Sequence, residues 1–152
     1  SDASLAMTIN AAIFETGRPV LLAPPNAPQT VAKKIAISWN GSAEASRAVA
    51  AAMPLIVRAQ SVVIMTAEND KTSSGVAAEL AGYLAWHGVS AESRSLPGGS
   101  QVGQVLLEDC KAVGADLLVM GAYTHSRMRQ LILGGVTKHV LASADLSVLM
   151  AH

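Results

Sequence analysis

The chain has 152 residues, of which 51% are hydrophobic, 14% are charged and 3% are aromatic, a composition that excludes intrinsic disorder and suits one domain with a buried core. The longest apolar run, from Ala48 to Val57, contains Pro54 and is shorter than the roughly 18 residues of a membrane span, so no membrane association is expected. Eleven basic and eleven acidic side chains give no excess of positive charge that would favour binding to nucleic acid. The single cysteine, Cys110, excludes an internal disulfide, so we expect a cytoplasmic protein.

The first 33 residues predict a helix and a strand that are separate from the main pattern. The helix extends from Ala6 to Phe14, a turn follows at Gly17, and the strand extends from Pro19 to Ala23. This strand and its helix align with the C-terminal segment from Ser147 to Ala151 and the helix before it. We therefore interpret residues 1–33 as the tail of a preceding repeat plus a linker. The alternative is chance similarity between two generic helix–strand units.

From residue 34 onward, short aliphatic runs alternate with helical patterns. The runs that predict strands are Ile35 to Ser38, Ser61 to Met65, Val89 to Ser95, Asp116 to Met120 and Ser147 to Met150. The predicted helices begin at Ser42, at Ser73 or Ser74, at Ser100 and near Gly134. Such alternation indicates right-handed crossovers between parallel strands. We predict a doubly wound α/β domain over residues 34–152, with a five-stranded parallel sheet covered by helices on both faces. The run from Val89 alternates polar and apolar residues, which favours an edge position.

A candidate anion site follows the predicted fourth strand. In open parallel sheets, ligands bind beyond the carboxyl ends of the strands, where the strand order reverses. Gly134 and Gly135 place exposed backbone N–H groups at the start of the next helix, where the helix dipole favours an anion. Thr137 adds a hydroxyl group. Phosphate binding and ligand-free helix capping are both compatible with these glycines.

The segment resembles the nucleotide-binding motif of the universal stress protein family, which reads Gly, two residues, Gly, nine residues, Gly, then Ser or Thr. Gly121 and Gly134 match the first and third glycines with the spacing kept, whereas Thr124 replaces the second glycine and Gly135 replaces the Ser or Thr. At the end of the first strand, Asn40 begins an Asn-Gly-Ser run where the family usually has Asp-Gly-Ser. The resemblance covers the predicted domain, and tandem members of the family have a layout that accounts for the N-terminal tail.

The resemblance implies an adenine nucleotide alpha-hydrolase-like fold, a role in stress response and a site for an adenine nucleotide such as ATP, with magnesium expected only together with ATP. The residues implied around the base, ribose and phosphates are Ser38, Trp39, Asn40, Thr66, Met120, Gly121, Thr124, Gly134, Gly135, Val136 and Thr137. The alternative is a nucleotide-free dimerising scaffold that acts through protein partners, in which Thr124 and Trp39 close the cleft. We find no pattern of a catalytic base, nucleophile or metal-ligand set, so no catalysis is expected beyond the open alternative of a weak ATPase activity.

The terminal segments predict self-association. The C-terminal strand, Ser147 to Ala151, is expected at a sheet edge with unpaired backbone groups. In the resembled family, equivalent strands of two domains pair across a twofold axis. The N-terminal helix lacks a sheet of its own, so we expect Ile9, Ile13 and Phe14 to be buried against a partner. These features predict a homodimer, or a pseudo-dimer, through the strands from Pro19 to Ala23 and from Ser147 to Ala151.

Overall fold

A computed structural model of the protein describes residues 2–68, 75–122 and 134–152. The helices are α1 (Asp2–Glu15), α2 (Ala43–Ile56), α3 (Gly75–Trp86), α4 (Val102–Ala112) and α5 (Gly135–Ser143). The strands are β1 (Val20–Leu22), β2 (Lys34–Ser38), β3 (Ser61–Ala67), β4 (Ala91–Leu96), β5 (Leu117–Gly121) and β6 (Ser147–Ala151). Within these ranges, none of the helices combines the length and the apolar character that crossing a membrane requires.

The strands form a six-stranded sheet in the order β1-β6-β5-β2-β3-β4. Strands β2 to β6 are parallel, and β1 joins β6 in the antiparallel direction. The predicted doubly wound α/β fold is confirmed. The five predicted parallel strands are present, but the sheet has six strands and not five, because the N-terminal segment adds an antiparallel strand to it. The alternating strand β4 lies at an edge, as its polar pattern predicted.

Two apolar clusters cover the two faces of the sheet, and successive strand residues alternate between them. In β5, Leu117 and Val119 pack with α2 and α3, whereas Leu118 and Met120 pack with α1, α4 and α5. Both β5 and β6 are buried at every position. A strand covered on both faces requires apolar residues throughout, which explains the unbroken aliphatic runs in the sequence.

The N-terminal segment packs onto its own chain. Strand β1 pairs with residues 148–150 of β6, so β6 lies between β1 and β5. The expectation that the C-terminal strand lies at an edge is therefore wrong. Ile13 is 2% exposed, and Ile9 and Phe14 pack against the same cluster as α4 and α5. The expectation that these side chains need a partner molecule for burial is also wrong, because the outer part of the chain's own sheet supplies the surface.

One carboxylate attaches the segment between β1 and β2 to the sheet. Asp116, just before β5, accepts hydrogen bonds from the hydroxyl group of Thr30 and from the backbone N–H groups of Lys33 and Lys34, at 3.0 and 2.8 Å for the last two. Burial by itself raises the pKa of Asp116, but these hydrogen bonds stabilise the carboxylate and lower the pKa overall. The contact fixes where β2 begins beside β5.

The helix starts differ in how they are capped. Ser42 caps α2 as predicted, because its hydroxyl group accepts a hydrogen bond from the Ala45 N–H group at 3.1 Å. The prediction that Ser100 caps α4 is wrong: the cap residue is Gln101, and its side chain makes no capping hydrogen bond. Helix α5 also starts without a side-chain cap, since its cap residue is Gly134. Two helices on the same face of the sheet thus begin with backbone N–H groups that no cap side chain covers.

Candidate functional site

The carboxyl ends of the parallel strands share one edge of the sheet, and the strand order reverses there. The chain leaves β2 towards β3 and β4, then returns across the sheet to β5 on the other side of β2. Helices α2 and α3 consequently lie on one face, and α4 and α5 lie on the other. In doubly wound sheets this arrangement opens a crevice between the two sets of connections.

The starts of α4 and α5 line one cavity of about 460 Å³ at this edge. We refer to it as the α4/α5 cavity; its lining residues are Gly99, Ser100, Gln101, Val102, Gly103, Gln104, Gly134, Gly135, Val136, Thr137 and His139. Its volume lies within the range of about 300–1,000 Å³ that is typical of small-molecule sites. The four predicted site residues from Gly134 to Thr137 are therefore brought together in one cavity.

On the α5 side of the cavity, the described residues leave space beside Gly135, and the cap residue of the helix supplies no side chain. A Cβ atom added to Gly135 would meet no atom of the described residues within 4 Å. The cap residue Gly134 has extended backbone, with φ −66° and ψ 162°, and brings no capping side chain. Because the positive end of the helix dipole also lies here, the site favours a negatively charged group.

The α4 side was missed by the sequence analysis. A Cβ atom on Gly103 would lie 2.8 Å from the Cβ atom of His139, so only glycine lets α4 approach α5 this closely. This contact holds the two helix starts together around the cavity. The available signal was the Gly-Gly-Ser run at residues 98–100, which we interpreted only as a helix start.

Gly121 and Met120, which the family resemblance implies around the nucleotide, have structural roles in this chain. A Cβ atom on Gly121 would lie 2.7 Å from the backbone nitrogen of Ala45 and 2.8 Å from the carbonyl carbon of Glu44. The glycine is thus required because the first turn of α2 lies directly on the end of β5. Met120 is 1% exposed and belongs to the core beneath α4 and α5.

Trp39 lies on the other face of the sheet. It lines a second cavity, of about 300 Å³, between α2 and α3. Its indole Nε1–H group donates a hydrogen bond to the carbonyl oxygen of Val76, at 3.0 Å. Asn40 is exposed, and its Oδ1 atom accepts a hydrogen bond from the Ser42 N–H group at 3.0 Å, which closes the turn before α2. The structure thus separates Trp39 from the α4/α5 cavity.

Ser38 and Thr66 lie half-buried at the carboxyl ends of β2 and β3. The Oγ1 atom of Thr66 is buried, and it finds no hydrogen-bond partner among the residues that the structure describes. A buried hydroxyl group without a partner is costly, and a bound polar ligand would remove that cost. Thr124, the remaining predicted site residue, lies outside the described residues.

The single cysteine of the chain does not line the α4/α5 cavity. Cys110 lies on the buried side of α4, and burial raises the pKa of its thiol to about 12, which keeps it protonated at neutral pH. In the described ranges, His, Cys, Asp and Glu side chains form no group of three or more that could hold a metal ion.

The two glycines at the carboxyl edge are expected to differ in their tolerance of a methyl group. Gly121→Ala should lower the free energy of unfolding by about 1–3 kcal/mol, because its Cβ atom must displace the backbone of α2. Gly135→Ala should change it by less than about 1 kcal/mol, because the space is open and alanine favours a helix. Urea denaturation of both variants measures the difference. Equal losses of stability in the two variants would contradict the contact between α2 and β5.

The family model described as the Universal stress protein family matches residues 32–152. Among solved structures, a universal stress protein from Archaeoglobus fulgidus is 18% identical, with a TM-score of 0.67 over 78% of this chain and 98% of that chain. A universal stress protein in complex with cAMP is 22% identical, with a TM-score of 0.62 over 81% of this chain and 99% of that chain. No curated protein matches this chain.

A longer protein has the same fold over more of the chain. A universal stress protein from Archaeoglobus fulgidus DSM 4304 is 14% identical, with a TM-score of 0.73, and the match covers 90% of this chain. It covers 50% of that protein, so this chain spans half the length of that neighbour. At these identities the structural matches show a shared fold alone.

Proposed function

The chain belongs to the universal stress protein family, and we propose that it is a stress-response module that binds an adenine nucleotide such as ATP at the carboxyl edge of its sheet. The observation that carries this proposal is the α4/α5 cavity, where two helices begin without side-chain caps around a space of about 460 Å³.

The phosphate groups would lie at the start of α5. Gly134 and Gly135 allow an anion to approach the backbone, since no Cβ atom stands in the way. The N–H groups of the first turn and the helix dipole then stabilise the negative charge. Lys138 is exposed on the same turn and supplies a cation nearby. Magnesium would accompany ATP through its phosphate oxygens, as is usual for this ion.

The base and ribose would lie towards the ends of β2 and β3. Ser38 offers a hydroxyl group there, since it shares the face of Ala36, whereas Thr66 shares the face of Val62 and Ile64, so our proposal assigns the Thr66 Oγ1 atom no contact with the base. Asn40 brings an amide instead of a carboxylate, so it adds no negative charge beside the phosphates. Trp39 is engaged with Val76 on the other face, so our proposal assigns it no contact with the base.

A similar protein supports the class of ligand. The universal stress protein in complex with cAMP has the same fold at 22% identity. Its ligand combines an adenine base with a phosphate group, which are the two parts that the edge of this sheet would accommodate. We propose binding without catalysis, because the sequence motif supplies no catalytic base or nucleophile for hydrolysis.

A nucleotide-free scaffold is the second candidate, and the outer edge of the sheet favours it. Strand β1 is the edge strand beyond β6, and its Leu21 side chain is 53% exposed. An edge strand with an exposed apolar side chain is suited to pairing with another strand. A second copy of the chain, docked there, would form a homodimer. Dimerisation is compatible with nucleotide binding, so measurements of ATP binding to the purified chain, and not its oligomeric state, separate the two candidates.

The edge also suits the rest of a preceding repeat. The family model starts at residue 32, whereas the match to the longer Archaeoglobus fulgidus DSM 4304 protein covers 90% of this chain and therefore extends into α1 or β1. This supports our interpretation of residues 1–33 as the tail of a preceding repeat. In that case, the pairing of β1 with β6 within one chain corresponds to the pairing of terminal strands between the two chains of a dimer.

Gly135→Asp is expected to weaken ATP binding at least tenfold, because a carboxylate and a Cβ atom would oppose the phosphate groups at the start of α5. Gly135→Ala, which adds the Cβ atom alone, is the matched control and should keep most of the affinity. Titration calorimetry with ATP and magnesium measures all three proteins. Equal affinity in the wild type and Gly135→Asp would move the phosphate site away from α5. Absence of ATP binding to the wild type at millimolar concentration would favour the scaffold.

The purified chain is expected to be a dimer at micromolar concentration, and Leu21→Lys should shift it towards the monomer. The added ammonium group would be costly to bury between paired edge strands. Val57→Lys, which changes an exposed apolar residue at the end of α2, is the control and should leave the dimer intact. Sedimentation velocity distinguishes the species. A monomeric wild type would overturn self-association through this edge.

A further inference from the structure

A second cavity lies between α2 and α3. It measures about 300 Å³, and its lining residues are Trp39, Ser46, Val49, Ala50, Glu79, Leu80 and Tyr83. We refer to it as the α2/α3 cavity. It lies on the face opposite the α4/α5 cavity, since α2 and α3 pack on the other apolar cluster.

Aromatic rings are concentrated at this cavity. The chain contains only two Trp, two Tyr and one Phe, and one Trp and one Tyr line this single space. The indole N–H group of Trp39 is already bonded to the Val76 carbonyl oxygen, so the polar edge of this ring is satisfied and its position is fixed. Trp39 therefore offers a ligand its apolar ring surface. Val49 and Leu80, at 2% and 3% exposure, supply an aliphatic base.

The charged side chain in the described lining of the α2/α3 cavity is acidic. Glu79 is the acidic residue of the lining, and no Lys or Arg side chain lines the space among the residues that the structure describes. Glu79 is exposed on the second turn of α3, and its carboxylate makes no hydrogen bond or ion pair with the part of the chain that the structure describes. A ligand with a positive charge would gain from this carboxylate, whereas a phosphate group would be repelled.

We propose that the α2/α3 cavity binds a small organic cation, namely an ammonium group carried on a compact apolar body. Aromatic ring faces attract such cations, best of all the face of tryptophan, and a carboxylate at the rim adds direct attraction. The volume lies at the lower end of the range for ligand sites, which selects small ligands. This site is independent of the proposed nucleotide site, because different helices on opposite faces form the two cavities.

Tryptophan fluorescence reports directly on this cavity. The chain has two Trp residues, and Trp86 is 91% exposed at the end of α3 and outside the cavity lining. In a Trp86→Phe protein, Trp39 is the remaining tryptophan. Titration with choline should give a saturable change of the Trp39 emission. Its neutral isostere 3,3-dimethylbutan-1-ol, in which carbon replaces the charged nitrogen, should give a linear or absent change.

Two further variants test the assignment in the Trp86→Phe background. Glu79→Gln should weaken choline binding about fivefold, the size expected for an exposed charge pair, and Tyr83→Leu should weaken it similarly or more. Glu92→Gln, which removes an exposed carboxylate on β4, is the matched control and should bind like its parent. Circular dichroism checks that each variant is folded.

Several results would overturn the proposal. A linear response to choline would show collisional quenching, and an equal saturable response to the neutral isostere would show an apolar site without selectivity for a cation. Unchanged binding in Glu79→Gln and Tyr83→Leu would place the cation elsewhere. Saturating ATP should leave the choline affinity unchanged, because the two sites lie on opposite faces of the sheet. Choline binding can therefore fail while ATP binding is observed, and ATP binding can fail while choline binding is observed.

Discussion

The close approach of α2 to the end of β5 is the constraint on which the arrangement of this protein depends. Only a residue without a side chain fits at Gly121, because a Cβ atom there would lie 2.7 Å from the backbone of Ala45. The contact ties β5 to the helix that leaves its neighbour β2, at the point where the strand order reverses. The turn before α2 is fixed in turn by Asn40 and Ser42. Helices α2 and α3 are thereby held on one face of the sheet, and α4 and α5 are held on the other.

This division gives the two faces different chemistry. On one face, α4 and α5 begin without side-chain caps around the α4/α5 cavity, and their dipoles favour an anion. On the other face, aromatic rings and Glu79 line the α2/α3 cavity and favour a cation. The net charge of +0 does not indicate this difference between the two faces, because the attraction for a small ligand depends on local groups and not on the total charge.

Sequence reasoning succeeded where a local pattern decides the structure and failed where distant contacts decide it. The unbroken run in β5 and the alternating run in β4 predicted a central and an edge strand, because burial dictates those patterns. The place of β1 was not predictable, because a three-residue strand gains its stability from pairing with β6. The face of the sheet on which Trp39 lies was also not predictable, because it depends on the alternation of side chains along β2 and on the hydrogen bond to Val76 in α3. At Gly121 the structure shows a close contact with α2, and the contact with a ligand that the motif implies stays a prediction. The α4 side of the cavity was not predictable from a local pattern, because it depends on the packing of α4 against α5.

The central claim is that backbone N–H groups at the start of α5 bind the phosphate groups of an adenine nucleotide. Two-dimensional ¹H–¹⁵N NMR of the labelled chain, titrated with ATP, tests it most directly because each amide is observed separately. The account predicts saturable shifts of the Gly135, Val136 and Thr137 amides, while the Trp39 indole N–H signal, bonded to Val76 on the other face, stays in place. Unchanged α5 amides, or a saturable shift confined to the Trp39 indole, would contradict it.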